Sequence, residues 1–457
     1  MNTSCATAEG LMMLRALVPA AFFMPTGRVR RALITKLAVR SREEFLFENE
    51  TTTTWQLDPF GKRIFERSRK GSADFDCRKE EPRTIVEQNV QGVQESEQVR
   101  TELLRVLNSR RKKQVPLEVY PANRHKAYCQ MEASPADPSV LALCPKGDYC
   151  HDNAPLELEE EDLILTTEEG EQGRVPVLII RPKTSGTVTT APRPAVVCLH
   201  STGNSKETMR PFMEAYASSG YVAVAIDARH HGDRGHSPHA YAEALVAAWK
   251  SGEEMPFIFD TVWDIIKLMD YLTTRLDIDP KHIGMMGISL GGMNTWFAAA
   301  ADPRIAVAVA LIGVQSFGWA IAEEKWHARV ASIPYPFQAA ADDFGREIID
   351  TETVAAVWQR LAPGIMDQLD SPHTIPAIAP RPFLIHNGKE DPRCPVGGLE
   401  SVLNKTTQVY NDMGVPSHFK FIAEEGLGHV VTPTMAKETM CWFNKFLVPE
   451  QPGMFAD

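Results

Sequence analysis

At 457 residues the chain is long enough for two or three domains and a large core. Its formal charge of -11 and pI near 5.7 argue against nucleic acid as a partner, because neutralising phosphates takes a basic face. No apolar run reaches the roughly 20 residues a bilayer-crossing helix needs, so no integral membrane segment is expected.

Residues 1–42 read as a targeting segment. Glu9 is the only carboxylate before Glu43, while Arg15, Arg28, Arg30, Arg31, Lys36, Arg40 and Arg42 supply positive charge around the apolar run 11–14 and within the later stretch 33–40. That composition suits an organelle (plastid or mitochondrion) transit peptide, the alternative being an amphipathic helix in a cytoplasmic protein. Residues 43–156 read as a loosely structured N-terminal extension, partly helical or disordered. Apolar positions recur at helical spacing over 97–108, whereas the threonines at 51–54 and the mixed charges over 62–83 favour loop. Cys129, Cys144, Cys150 and His151 lie close together, yet their gaps are not the paired short spacings of a structural zinc site, so no metal is expected. The eight cysteines are scattered, which suits a reducing compartment better than a disulfide framework.

From residue 157 the punctuation becomes regular. Alternating apolar and polar positions over 156–166, followed by 173–182, predict an antiparallel hairpin at a sheet edge. The runs 195–200, 221–227, 282–286, 305–312 and 381–386 are instead almost continuously apolar, as strands covered on both faces require. Helical stretches such as 207–219 and 259–276 separate them. The fold class is therefore α/β, a mostly parallel doubly wound sheet that binds ligands at the carboxyl ends of its strands. No Gly-x-Gly-x-x-Gly follows the first parallel-type strand, so no dinucleotide cofactor is expected.

One of these strands runs into Gly287-Ile288-Ser289-Leu290-Gly291, and the alanines at 298–301 then favour helix. A serine hydroxyl standing at such a sharp turn needs neighbours without side chains, which Gly287 and Gly291 provide. The N–H of Leu290, in the first turn of the following helix, is then one oxyanion donor. A neutral serine is a poor nucleophile and needs a base, which in turn needs an orienting carboxylate. Asp391 follows the 381–386 strand in a loop where Pro392 fixes the turn, with Glu390 as its competitor. His429 stands in the glycine-flanked loop after 418–422 and completes the order Ser, Asp, His, ahead of His200, His230, His231, His236, His239, His386 and His418. A second oxyanion donor is expected after the first parallel strand, from the N–H of Thr202, with Ser201 second.

Together with His200-Ser201-Thr202-Gly203 and Asp227-Ala228-Arg229-His230-His231-Gly232, these motifs resemble the α/β-hydrolase superfamily, most nearly its dienelactone-hydrolase and prolyl-oligopeptidase-like esterases. The resemblance covers about 157–450. It implies an α/β-hydrolase fold and a serine hydrolase that cleaves a small-molecule carboxylic ester through a covalent acyl-enzyme, with no metal and no organic cofactor. Ser201 departs from the pattern, standing where these families often carry glycine. The segment 314–378 is too long for a simple strand connection and reads as a helical lid insertion, with Trp319, Trp326, Tyr335 and Trp358 available to line a pocket or to pack the lid onto the body. The alternatives are a peptidase or thioesterase of the same fold, or a non-catalytic ligand-binding relative. The oligomeric state is left open by the sequence.

Overall fold

A computed structural model describes residues 56–57, 63–64, 85–111, 113–122, 157–183 and 191–448. The targeting segment 1–42 and the cluster Cys129, Cys144, Cys150 and His151 lie outside the described residues. The chain divides into two units, 1–79 and 80–457. In the first, β1 (Gln56–Leu57) pairs antiparallel with β2 (Arg63–Ile64).

The second unit opens with helix α1 (Ile85–Asn108), which extends well before the 97–108 stretch with helical periodicity. Three short or antiparallel strands follow: β3 (Val119–Pro121), β4 (Leu158–Thr166) and β5 (Arg174–Pro182). The expected hairpin is present, with Leu158 opposite Pro182 and Thr166 opposite Arg174. Strand β3 pairs with the outer side of β4, so the hairpin is not the last element of the sheet.

Strands and helices then alternate: β6 (Arg193–Leu199), α2 (Arg210–Ser218), β7 (Val222–Ile226), α3 (Ala240–Ser251), α4 (Phe259–Leu272), β8 (Ile278–Ile288), α5 (Leu290–Ala301) and β9 (Val307–Leu311). Five helices are inserted before the next strand, namely α6 (Phe317–Ala322), α7 (His327–Ser332), α8 (Tyr335–Asp343), α9 (Thr351–Leu361) and α10 (Ser371–Thr374). The chain closes with β10 (Phe383–Gly388), α11 (Glu400–Asp412), β11 (Phe419–Glu424) and α12 (Pro433–Phe446).

The sheet order is β11-β10-β9-β8-β6-β7-β5-β4-β3. The six strands from β11 to β7 are parallel and the remaining three antiparallel. Because successive strand residues face opposite ways, Val197 and Val224 join one core while Val196, Cys198 and Ala223 join the other. Both faces are thereby buried, which is why these strands read as unbroken apolar runs. Helices α2 and α12 cover one face through Phe212, Tyr216, Met440 and Phe443; α4 and α5 cover the other through Leu268, Trp296 and Phe297. Helix α1 belongs to that second layer. Its Leu103, Val106 and Leu107 are buried in the core, and Arg100 Nε donates to the Ala301 carbonyl at the end of α5 (3.2 Å).

Strand β6 is flanked by β7 on one side and β8 on the other, so the connections after β6 and β7 leave in opposite directions. The carboxyl ends of these strands open a crevice at that point. The inserted helices pack through aromatic side chains. Trp358 lies 4.9 Å from Phe337, 5.4 Å from Phe317 and 4.9 Å from Phe257 of the body, ring centre to ring centre. These rings fasten the insertion to the segment before α4. No helix among the described residues is long and apolar enough to cross a membrane.

Candidate active site

The turn between β8 and α5 holds Ser289 at φ 55° and ψ -110°, a left-handed conformation that a residue with a side chain adopts only under strain. Two close approaches account for the flanking glycines. A Cβ on Gly287 would stand 2.1 Å from the Gly291 carbonyl oxygen, and one on Gly291 would stand 2.1 Å from the carbonyl oxygen of Leu199 at the end of β6. The turn is pinned from the sheet side by the Ser289 N–H, which donates to Leu311 O at the end of β9 (2.9 Å).

Ser289 Oγ lies 2.8 Å from His429 Nε2. The other ring nitrogen, Nδ1, lies 2.7 Å from Asp391 Oδ2. Because an ionised carboxylate only accepts, Nδ1 carries the proton and Nε2 is left to accept from the serine hydroxyl. Asp391 Oδ1 accepts from the N–H groups of Arg393 (2.8 Å) and Cys394 (3.3 Å), which closes the turn after β10 around the carboxylate. The three sequence-predicted side chains thus meet at the carboxyl ends of β8, β10 and β11.

Burial sets the electrostatics. It works to raise the Asp391 carboxyl, but the hydrogen bond and charge of His429, the Arg393 N–H and the Arg329 guanidinium outweigh it and hold the group below the usual aspartate value. Burial lowers His429 below the ordinary histidine value; Asp391 opposes this, and the positive charges of Arg329 and Arg393 reinforce it. The imidazole is consequently neutral at pH 7, as an acceptor from Ser289 has to be.

The remaining candidates fall into place around this set. Leu290 is the first residue of α5, so its N–H has no acceptor within the helix. The contact of Gly291 with Leu199 O brings that helix end against the loop carrying Ser201 and Thr202. In that loop Ser201 is tied inward: its carbonyl accepts from Asn204 N–H (3.1 Å) and its Oγ from Asn204 Nδ2 (2.7 Å). Glu390, the competitor to Asp391, uses its backbone N–H to bond Leu427 O (2.9 Å), in the loop that carries His429.

Five of the other candidate histidines have partners elsewhere. His200 accepts from Ala228 N–H through Nε2 (3.0 Å) and bonds Ser201 O through Nδ1 (2.9 Å), joining the loops after β6 and β7. His231 bonds Arg229 O (2.8 Å), His230 faces Glu254 (2.9 Å), His236 faces Glu243 (3.0 Å), and His386 lies buried 2.8 Å from Glu424.

Cys394 also approaches the site, its ligating atom and those of Asp391 and His429 all lying within 4.8 Å of one another. That grouping has the donor types of a metal site, but burial pushes the Cys394 thiol up to about 12, and Sγ donates to Ile312 O (3.3 Å). A protonated thiol is a poor ligand, and the other two groups are occupied with each other. Sequence reasoning did not single out Cys394, nor Gln315 and Arg329, which pack beside the acid turn. Two of these three lie in the insertion, and no local pattern marks them.

Among known proteins, a model of the Alpha/beta hydrolase family matches residues 196–439, more than half of the chain. "Putative hydrolase YtaP" of Bacillus subtilis (strain 168) is 24% identical over 307 residues, covering 64% of this chain and 91% of its own. "Putative esterase YitV" of the same organism is 23% identical over 254 residues, covering 56% and 89%. The solved structure of a "putative acetyl xylan esterase" from Bacteroides fragilis NCTC 9343 covers 78% of this chain and 88% of its own, with a TM-score of 0.52 and 14% identity, a likeness of fold alone. The chain belongs to the Alpha/beta hydrolase family.

Proposed function

We propose that the protein is a serine hydrolase that cleaves a carboxylic ester of a small molecule through a Ser289–His429–Asp391 triad. The reading rests on one observation, the unbroken pair of hydrogen bonds from Ser289 Oγ to His429 Nε2 and from His429 Nδ1 to Asp391 Oδ2. The hydrolase and esterase names of the Bacillus subtilis relatives agree with it.

In this mechanism Ser289 Oγ attacks the ester carbonyl as its proton passes to His429 Nε2. Asp391 keeps the imidazole in the right tautomer and stabilises the imidazolium that forms. The tetrahedral oxyanion is held by the N–H groups of Leu290 and Thr202, the first reinforced by the positive end of α5. Collapse breaks the ester C–O bond, and the departing alkoxide takes the proton from His429. Water then repeats the sequence on the acyl-enzyme, releasing the acid and restoring Ser289.

The test is turnover of p-nitrophenyl acetate by Ser289→Ala. The reading expects a loss of at least about a thousandfold in kcat with the fold retained. Wild-type turnover in that variant removes Ser289 as the nucleophile. A peptide or thioester cleaved faster than any oxygen ester would move the substrate class while leaving the triad in place.

The acid-poor segment 1–42 is proposed as an organelle-targeting sequence preceding the extension 43–156 and the hydrolase domain 157–450. A fluorescent fusion of residues 1–42 tests this, since a diffuse cytoplasmic signal contradicts it.

A further inference from the structure

Three buried cations among the described residues are partnered by acids. Lys206 contacts Asp227 (3.2 Å), Arg229 contacts Asp264 (2.7 Å), and Arg234 contacts Asp264 (2.8 Å). Arg329, carried by α7 of the insertion and equally buried, has hydrogen-bond partners of another kind among the described residues. Its Nη2 donates to the Arg393 carbonyl (3.2 Å) and to Cys394 Sγ (3.3 Å). With its amide in the orientation that satisfies both ends, Gln315 donates to the same Arg393 carbonyl (2.6 Å) and accepts from Arg329 Nε (3.2 Å). Desolvating a guanidinium costs several kcal/mol, so its placement against a peptide carbonyl, a thiol and an amide, with no carboxylate hydrogen-bonded to it, calls for a reason.

The reason lies in what that peptide does. The carbonyl of Arg393 and the N–H of Cys394 belong to one planar unit, and fixing one end fixes the direction of the other. The Cys394 N–H points at Asp391 Oδ1 (3.3 Å), while Asp391 Oδ2 faces His429 Nδ1 (2.7 Å). We infer that Arg329, assisted by Gln315, is a positioning residue for the reaction: by holding the Arg393–Cys394 peptide it sets the orientation of the Asp391 carboxylate, and it makes the inserted helices part of the catalytic framework. The inference rests on the Ser289–His429–Asp391 reading and goes beyond it by assigning the insertion a role.

Replacing Arg329 tests it. The groups that set the charge around the His429 imidazole are Asp391, Arg329 and Arg393. Arg329→Met removes both the fork and one cation. Its kcat on p-nitrophenyl acetate, expressed per site titrated with a fluorophosphonate, is expected to fall roughly ten- to a hundredfold. KM should stay within about twofold. The acid limb of its kcat/KM profile should move to higher pH, because the imidazole is protonated more easily once a neighbouring cation is gone.

Arg329→Lys keeps the charge and loses the fork, so its acid limb stays in place while kcat remains below wild type. Gln315→Leu should lower kcat modestly with no shift of the limb, and it and Arg329→Lys carry the test if Arg329→Met does not fold. A merely structural role would reduce the number of titratable sites and leave kcat per site and the pH limb untouched; that result overturns the inference. So does a defect confined to KM for anionic esters, which would make Arg329 a substrate contact. Retained turnover in Ser289→Ala removes the underlying reading, whereas a normal Arg329→Met enzyme whose Ser289 still labels removes only the role of Arg329.

Discussion

Ser289 Oγ and His429 Nε2 are 2.8 Å apart although 140 positions separate them in the chain. The hydroxyl is presented by a turn that three crossings of the sheet hold in a strained conformation, and the imidazole by a loop whose Leu427 carbonyl accepts from the Glu390 N–H (2.9 Å). In the proposed mechanism, geometry of this kind, set before any substrate arrives, is what lowers the barrier by positioning.

The neutral imidazole predicts the shape of the pH profile. Burial lowers His429 below the ordinary value near 6.5, so kcat/KM for a neutral ester should rise through a pKa below that figure and be flat across neutral pH. Asp391→Asn, which favours the wrong tautomer, should cut kcat by about three to four orders of magnitude with little change in KM. Stopped assays from pH 4.5 to 9 on both proteins check this.

Gly291→Ala is expected to damage the fold as well as the site. The new Cβ would stand 2.1 Å from Leu199 O, a backbone atom that yields only if α5 and β6 separate. Such separation also moves the Leu290 N–H away from the Thr202 loop. A melting temperature lowered by several degrees, corresponding to about 1–3 kcal/mol, together with loss of turnover is the expected result.

A buried ion network should make stability acid-sensitive. Asp264 accepts from Arg229 Nε (2.7 Å) and Arg234 Nη2 (2.8 Å). Burial raises its carboxyl, but the charges and hydrogen bonds of the two arginines pull it down to about 2. A depressed carboxylate contributes stability that is complete above the unfolded value near 3.9 and is lost as pH falls toward 2. The contribution is roughly 2 kcal/mol. Urea midpoints measured between pH 6 and pH 2.5 should fall less steeply in Asp264→Asn than in wild type, on top of a lower starting stability.

Truncation separates α1 from the chain before it. Arg110 and Arg111, just after α1, both contact the buried Asp260 carboxylate, and Arg111 lies 4.4 Å over the Trp263 ring. A chain beginning at Glu80 keeps α1 and is the reference. One beginning at Lys113 leaves Asp260 without these partners and uncovers the surface under Leu103 and Leu107, a loss of about 3–5 kcal/mol from the ion pairs alone. Equal melting temperatures for the two truncations would contradict the packing described for α1.

Local signals made part of this structure legible from sequence. The turn at Ser289 announces itself through an apolar strand, two glycines forced by backbone contacts, and an alanine-rich helix. The order Ser, Asp, His then selected His429 over His386, which also sits at a strand end but faces Glu424. Other features depend on contacts that no window of sequence contains. Arg329 meets Arg393 and Cys394 across 64 and 65 positions. The start of α1 carries no clear helical signal in the sequence, because Asn89 and Gly92 are weak helix formers. Strand β3 is three residues long, too short for any alternation to register.

The most direct test of the triad is peptide mapping by mass spectrometry after treatment with a fluorophosphonate. A single covalent adduct on Ser289 is expected, formed rapidly in the wild-type protein and at least about a hundredfold more slowly in His429→Ala. An adduct on another serine, or labelling of Ser289 at an equal rate without the imidazole, would contradict the assignment.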